Sequence, residues 1–513
     1  MVSKDVANKI WSACDKLRSN MDGPEMKNYI LPIMFYRFIS EKISQYVNDN
    51  FEKEDADYSL WESDKAKKIK NSLVKGLGCS LLPIHLFQNL KKDIDGDLKE
   101  GILDLGKKLS EAFAYLEESS LNTSSASNFR DLLVNTNWND VKLGGTLIKR
   151  NEIIADLVNI VNEMEFGKDY EDNLGDVYEF LIARYASNGG KKGGEFYTPA
   201  RVSELLSRIV IFEKEKVSKV YDPTCGSGSL LLKFMKIYGR DKRVKIYGQE
   251  NNVTTYNLCR MNMFIHEMSF NDFDICLGDT LEEPCLTHEE GMFDVVISNP
   301  PYSLKWKSDN DKRIANDSRF RDQGGFAPKD KADFAFIQHA LSRLKTDGVA
   351  AIVCSTGILT RMGREENIRK FLIENNYVHA VIHMAKDLFY GTGIETVILV
   401  LKKGKLDDRV LFIDATQKFI KASNKNDLSS ENVEEILRLY RDRKSEEFLS
   451  YLASNKEVID NKYDLGVKAY VKRRIEKEEV NVKELVSDIK KSVEKINSLR
   501  TEIEEMFDSM LSE

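Results

Sequence analysis

None of the seven cysteines, at positions 14, 79, 225, 259, 276, 285 and 354, stands in a C-x-x-C pair, and the six histidines are scattered. That spacing argues against a structural zinc and for reduced, buried thiols in a cytoplasmic protein. No run of about 18 apolar residues occurs, which argues against a membrane span. The first ten residues, "MVSKDVANKI", have no apolar stretch of the kind a secretory signal needs. No G-x-x-x-x-G-K-[ST] is present, which argues against ATP hydrolysis. A basic excess is missing too: 76 Lys and Arg stand against 83 Asp and Glu, a net charge of −7 at pH 7. A protein that gripped DNA alone would more often be basic. Any DNA face must therefore be locally basic or supplied by a partner.

What is present suits a folded chain. Hydrophobic residues make up 42% of the 513, enough for ordinary cores, and the length suggests about three domains. Residues 1–145 read as a helical domain. "MKNYILPIMFYRFISEKISQYV" has helical spacing, "DGP" breaks it from "ANKIWSACDKLRSNM", and "SSLNTSSASN" reads as a loop. "NEIIADLVNIVNEMEF" and "LGDVYEFLIARYAS" are further helices. The pattern then changes. "VSKVYDP", "VKIYGQE", "FDICLGD", "FDVVISNP", "GVAAIVCST", "YVHAVIHM", "TVILVLKK" and "DRVLFID" are short β-rich runs. Helical stretches such as "SLLLKFMKIYG", "TTYNLCRMNMFIH" and "DFAFIQHALSRL" lie between them. This alternation predicts a parallel, doubly wound α/β domain over 146–424, of the Rossmann-like kind. Residues 425–513 read as a charged helical region.

Three constellations in the α/β part carry chemistry. In "VYDPTCGSGSLLLKF" a strand ends at Asp222, a Gly-rich turn follows and a helix begins near Ser229. A doubly wound fold binds an adenosine-type cofactor at such a turn, and Gly226 and Gly228 let a ligand approach the backbone. A plain strand-to-helix turn would read much the same. Glu250 closes the next strand, 24 residues after Gly226, where it can accept hydrogen bonds from ribose hydroxyls. The bland alternative is a carboxylate at a helix start. Asp279, after the third strand, is similarly placed near an adenine ring.

The third constellation is "NPPY", Asn299, Pro300, Pro301 and Tyr302, after the strand "FDVVI". Adjacent prolines fix φ and stop a sheet ladder. Methyl transfer to the exocyclic amine of adenine suits this stiff turn. The Asn299 side-chain carbonyl and the Pro300 backbone carbonyl can take the two N–H groups and draw the nitrogen toward a tetrahedral shape. Tyr302 offers a face for a base flipped out of the duplex. An activated sulfonium methyl requires no metal.

"DPTCGSG" and "NPPY" resemble motifs of amino-methyltransferases that use S-adenosylmethionine. "GGEFYTPARV" lies ahead of both, an order that resembles the gamma-type DNA adenine-N6 methyltransferases. With "WSACDKLRSNMDGPEMKNYILPIMFYRFIS", "DNLGDVYEFLIARYA" and "NKYDLGVKAYV", nearly the whole chain resembles the modification (M) subunit of type I restriction-modification systems. The resemblance implies cofactor contacts from Glu195, Phe196, Tyr197, Thr198, Pro199 and Ala200, from Ser227, Gly228 and Ser229, and from Glu250. The family often carries a basic residue at the position of Ala200, whereas here Arg201 follows it. The implied partners are double-stranded DNA, one specificity (S) subunit shared with a second copy of this chain in a two-to-one complex, and sometimes a restriction (R) subunit.

Two further stretches bear on partners. Residues 303–332 hold eight Lys or Arg (305, 307, 312, 313, 319, 321, 329, 331) against five Asp, with Trp306, Phe320 and Phe326 interleaved. Such a stretch can hold phosphates and prop open a duplex; it also reads as a solvated, mobile loop, and the two readings are compatible. Apolar residues at 482, 485, 486, 489, 493, 496, 499, 503 and 506 form one stripe of a roughly heptad helix, suited to a partner helix or to packing on its own domain. Rival readings are a stand-alone DNA adenine methyltransferase, a protein glutamine methyltransferase, and an inactive scaffold. The first should carry its own target-recognition domain, and none is evident. The long helical N-terminal part and "EFYTP" argue against the second. Intact Asn299, Tyr302, Gly turn and Glu250 argue against the third.

Overall fold

Between Lys219 and Ser454 the short apolar runs become strands of one nine-stranded sheet in a computed structural model. The structure describes residues 8, 11–12, 23–51, 57–97, 103–133, 136–164, 170–188, 197–239, 242–285, 291–389, 393–422, 425–472 and 482–511. The chain divides into two compact units, Met1–Val471 and Lys472–Glu513.

The strands of the first unit are β1 (Lys219–Asp222), β2 (Lys245–Glu250), β3 (Phe273–Leu277), β4 (Phe293–Ser298), β5 (Leu344–Ser355), β6 (Val378–Met384), β7 (Thr396–Lys402) and β8 (Arg409–Ala415). A separate small pair, β9 (Ile420–Lys421) and β10 (Asn426–Asp427), precedes β11 (Ser450–Ser454). The large sheet runs β11-β8-β6-β7-β5-β4-β1-β2-β3. It is mixed rather than wholly parallel: β7 runs antiparallel between β5 and β6, and β11 runs antiparallel to β8. The reason lies in the connections. Only residues 385–395 join β6 to β7, too short for the helical crossover a parallel neighbour needs. β11, inside the stretch expected to be helical, pairs along the edge of β8.

Chain order reverses between β1 and β4, which are hydrogen-bonded neighbours. That reversal opens a crevice at the carboxyl ends of both strands. β4 is buried along its whole length. Val295, Val296 and Ile297 are each 0% exposed, and burying each such side chain stabilises by about 1.5–3 kcal/mol. The polar residues after Ser298 thus begin from a strand that the core holds rigidly.

The helices that matter for the site are α1 (Gly23–Asn50), α2 (Leu105–Ser120), α3 (Leu147–Asn162), α4 (Tyr170–Asn188), α5 (Ala200–Glu213), α6 (Ser229–Tyr238) and α7 (Val253–Ile265). Caps fix their starts: the Asp104 and Thr146 side chains accept from the backbone N–H of Lys107 and Lys149. The N-terminal helices pack against α7. Phe35 meets Phe264, and the buried Arg260 guanidinium donates to the carbonyls of Ser127 (2.8 Å) and Arg130 (2.9 Å). Helical residues and sheet therefore share one core, and most of "ANKIWSACDKLRSNM" lies outside the described residues.

Cys276 and Cys285 form a disulfide, their Cα atoms 6.3 Å apart. This corrects the expectation of reduced thiols throughout. The Gln249 side chain donates to the Glu283 carbonyl (3.1 Å) and accepts from the Cys285 N–H (3.4 Å). That contact folds residues 278–285 back onto the end of β3. Cys79, Cys225, Cys259 and Cys354 are free and buried. No helix among the described residues is long and apolar enough to cross a membrane.

The second unit contains helix α8 (Val482–Leu511). Val486, Ile489, Val493, Ile496, Leu499, Ile503 and Met506 of the expected stripe are exposed along it, while the side chains at 482 and 485 lie outside the described residues.

Candidate active site

β1 ends at a buried Asp222, whose Oδ1 accepts from the Thr224 N–H at 3.0 Å. Burial pushes this carboxyl up to about 7, against the lowering effect of the Thr224 bond. The turn that follows needs glycine twice: φ is +55° at Gly226 and +81° at Gly228. A Cβ on Gly228 would also stand 2.6 Å from Met263 Cε and 2.8 Å from Cys259 Sγ on α7. The Cys225 N–H donates to the Gln249 carbonyl (3.0 Å), tying the turn to β2.

Glu250, at the end of β2, grips the same turn. Its Oε2 accepts from the Gly226 N–H (3.1 Å) and its Oε1 from the Asn252 N–H (2.7 Å). Burial raises its pKa, and the backbone amides of Asn252 and Gly226 pull it down. Each carboxylate oxygen keeps a second acceptor site, enough for two vicinal hydroxyls. Asp279 sits past β3, its Oδ1 accepting from the N–H groups of Leu281 (2.9 Å) and Glu282 (3.0 Å). One cleft is lined by Pro223, Thr224, Glu250, Asp279, Pro301 and Tyr302. It gathers residues from four separate loops at the crevice between β1 and β4.

The NPPY turn closes that cleft. The Tyr302 hydroxyl donates to Asn299 Oδ1 (2.7 Å), and Asn299 Nδ2 donates to Thr198 Oγ1 (3.2 Å). The amide is thus clamped from both ends, with its carbonyl held by the neighbouring phenol. The Tyr302 ring is half-buried and stands edge-on to Phe389 at 6.3 Å. Burial raises its pKa far above the ordinary value, so the hydroxyl stays protonated and can donate. Beyond it Ser303, at φ +54°, donates its N–H to Asp333 Oδ2 (3.1 Å). Asp333 in turn accepts from Ser355 Oγ at the end of β5 (2.8 Å).

Tyr197, Thr198, Ala200 and Ser229 line a second cavity on the other side of the Gly turn. Pro199 caps α5, and its carbonyl accepts from the Ser203 N–H. Ser227 Oγ and Ser229 Oγ lie 2.7 Å apart. Arg201 pairs with Glu204 rather than with the turn. Glu195 and Phe196 lie outside the described residues.

Part of the 303–332 stretch is folded into the core. Arg319 is 4% exposed. It pairs with Asp317 and donates to the carbonyls of Thr280 (2.8 Å) and Leu281 (2.7 Å). Trp306 and Phe320 are buried against each other, and the indole N–H donates to the Pro328 carbonyl. Arg319 holds the segment that follows Asp279, and all three side chains are buried and not available to a duplex. Lys305, Lys307, Lys312, Arg313, Arg321 and Lys329 remain exposed, though Glu282, Asp311 and Asp322 pair with Lys307, Arg313 and Arg321.

Residues 169–479 match the N-6 DNA methylase family. The chain belongs to that family. Residues 6–161 match the HsdM N-terminal domain. Over 519 aligned residues the chain is 41% identical to the methylase subunit of the type I restriction enzyme MpnII of Mycoplasma pneumoniae, covering 98% of this chain and 95% of that one. The MjaVII methylase subunit of Methanocaldococcus jannaschii is 31% identical, over 70% of this chain and 62% of that one. The crystal structure of a type I restriction-modification methyltransferase subunit from Streptococcus thermophilus superposes with a TM-score of 0.83 at 32% identity, covering 92% of this chain and all of that one. Among the N-6 DNA methylases, then, this is a type I methylase subunit, an enzyme that methylates DNA adenine at N6. The stand-alone and glutamine-methylating rivals are not favoured.

Proposed function

We propose that this chain transfers a methyl group from S-adenosylmethionine to adenine N6 in duplex DNA, at a site chosen by a specificity subunit that binds two copies of it. The observation that carries the reading is the Asn299 amide, clamped between Thr198 and Tyr302, on the turn whose Pro301 and Tyr302 line one cleft with Glu250 and Asp279. When bound, S-adenosylmethionine supplies a methyl group already activated by its sulfonium. The chain's residues fit that group: Glu250 keeps acceptor sites for ribose hydroxyls, the Gly turn admits close approach, and Asp279 lies at the adenine end.

The protein's own work is on the target amine. Asn299 Oδ1 exchanges the Tyr302 hydroxyl for an adenine N–H, and the Pro300 carbonyl takes the other. Both acceptors stand on a turn that Pro300 and Pro301 stiffen, so little orientation entropy is left to lose. The Tyr302 ring stacks the flipped base. Lys305, on the rim of the cleft, and the exposed basic residues after it meet phosphates. With a net charge of −7, the remaining DNA grip comes from the specificity subunit. The stripe on α8 supplies an apolar face for a helix of that subunit, and a restriction subunit joins when the complex cleaves.

Asn299→Ala in the complex with its specificity subunit tests the reading. Cofactor binding should survive while methyl transfer falls by at least about a hundredfold, since only a transition-state interaction is lost. Substantial transfer by this variant would refute it.

A further inference from the structure

An acidic side chain from outside the sheet also reaches the Gly turn. Glu179 comes from α4, among the helices ahead of the sheet, and is half-buried. Its Oε1 accepts from Ser229 Oγ (2.9 Å) and from Asn262 Nδ2 (2.6 Å). Because the Ser229 hydroxyl is spent on Glu179, the Ser227 hydroxyl donates to Ser229 at 2.7 Å. Asn262 Nδ2 also donates to the Ser227 carbonyl (2.9 Å). A chain of hydrogen bonds through residues 227–229 thus ends on one carboxylate oxygen. The other, Oε2, takes no hydrogen bond among the described residues.

Glu179 borders the second cavity, with Tyr197, Thr198, Ser229 and Lys233. Thr198 is also the residue whose Oγ1 accepts from Asn299, so this cavity adjoins the NPPY turn. It holds an acid with an open oxygen and a lysine whose pKa burial lowers. An α-amino acid zwitterion carries the matching pair of charges. The turn's own acid, Asp222, is a poor counter-ion near neutrality, because burial holds its pKa at about 7.

We propose that Glu179 Oε2 binds the α-ammonium group at the methionine end of the cofactor, with Lys233 facing its carboxylate. This rests on the S-adenosylmethionine reading above and adds a residue from outside the sheet to the site. Glu179→Gln is the informative variant, since its carbonyl can keep both hydrogen bonds while the charge is lost. Binding to the full-length chain is measured by calorimetry with two probes. S-adenosylhomocysteine has the amino-acid end; 5′-methylthioadenosine has the nucleoside and thioether without it. The variant should bind S-adenosylhomocysteine about tenfold or more weakly, as expected for a lost charge-assisted bond, and 5′-methylthioadenosine within about twofold of the parent. Retained 5′-methylthioadenosine binding also shows that the variant is folded. Unchanged S-adenosylhomocysteine binding would overturn the proposal. An equal loss for both probes would overturn it too, showing that Glu179 only shapes the turn. If the parent chain binds neither probe, the cofactor reading itself fails, an outcome distinct from the other two.

Discussion

Replacing Glu250 by alanine separates a ribose-binding carboxylate from a mere helix-start acid. In the structure this side chain already has two partners, the Gly226 and Asn252 N–H groups. Asn252 is exposed, so water replaces its lost acceptor. Gly226 is buried, and an unpaired buried N–H costs about 1–3 kcal/mol of stability. Ribose hydroxyls held by an ionised acceptor add about 1.5–3 kcal/mol to binding, so S-adenosylmethionine affinity should fall roughly 10- to 150-fold. Calorimetry on the full-length chain measures the affinity, and circular dichroism with thermal melting measures the fold. Both quantities should drop in Glu250→Ala. In Glu250→Gln one carbonyl oxygen remains but an NH2 group is forced against an amide donor, so affinity should fall there as well. A lower melting temperature with unchanged affinity would refute the ribose assignment and leave Glu250 as a clamp on the turn.

Other perturbations probe the rest of the site. Tyr302→Phe keeps the ring and frees the Asn299 carbonyl from its hydroxyl partner, so the methylation rate should stay within a few-fold. Tyr302→Ala should raise the KM for DNA about 10- to 100-fold, the worth of one base stack, without changing cofactor affinity in calorimetry. Ile489→Glu combined with Ile496→Glu, on the exposed stripe of α8, should abolish co-purification with the specificity subunit while cofactor binding persists. Lys491→Ala on the same helix should do neither.

The parts of this molecule that were legible in sequence are local ones. NPPY follows its strand directly, the Gly turn joins a strand to the next helix, and Glu250 closes the next strand. Each can be read within a dozen residues, because strand ends and turn glycines announce themselves through hydrophobic patterning and φ. What was not legible depends on distant partners. Arg319, Trp306 and Phe320 look like a DNA-binding cluster until Thr280 and Leu281 are seen to accept from the guanidinium and the two rings to pack together. The Cys276–Cys285 disulfide joins the end of β3 to a segment that Gln249, on β2, also contacts. The Asn299 amide finds Thr198 across 101 residues of sequence. The inserted antiparallel β7 follows from a short connection whose meaning appears only once β5 and β6 are placed on either side of it.

The most direct test of the central claim is modified-base sequencing of DNA from cells that carry the specificity subunit together with this chain, with Asn299→Ala, or with no copy. N6-methyladenine should appear at one recurring sequence with the parent chain only. The same methylation pattern in all three samples, or its persistence with Asn299→Ala, would contradict the account.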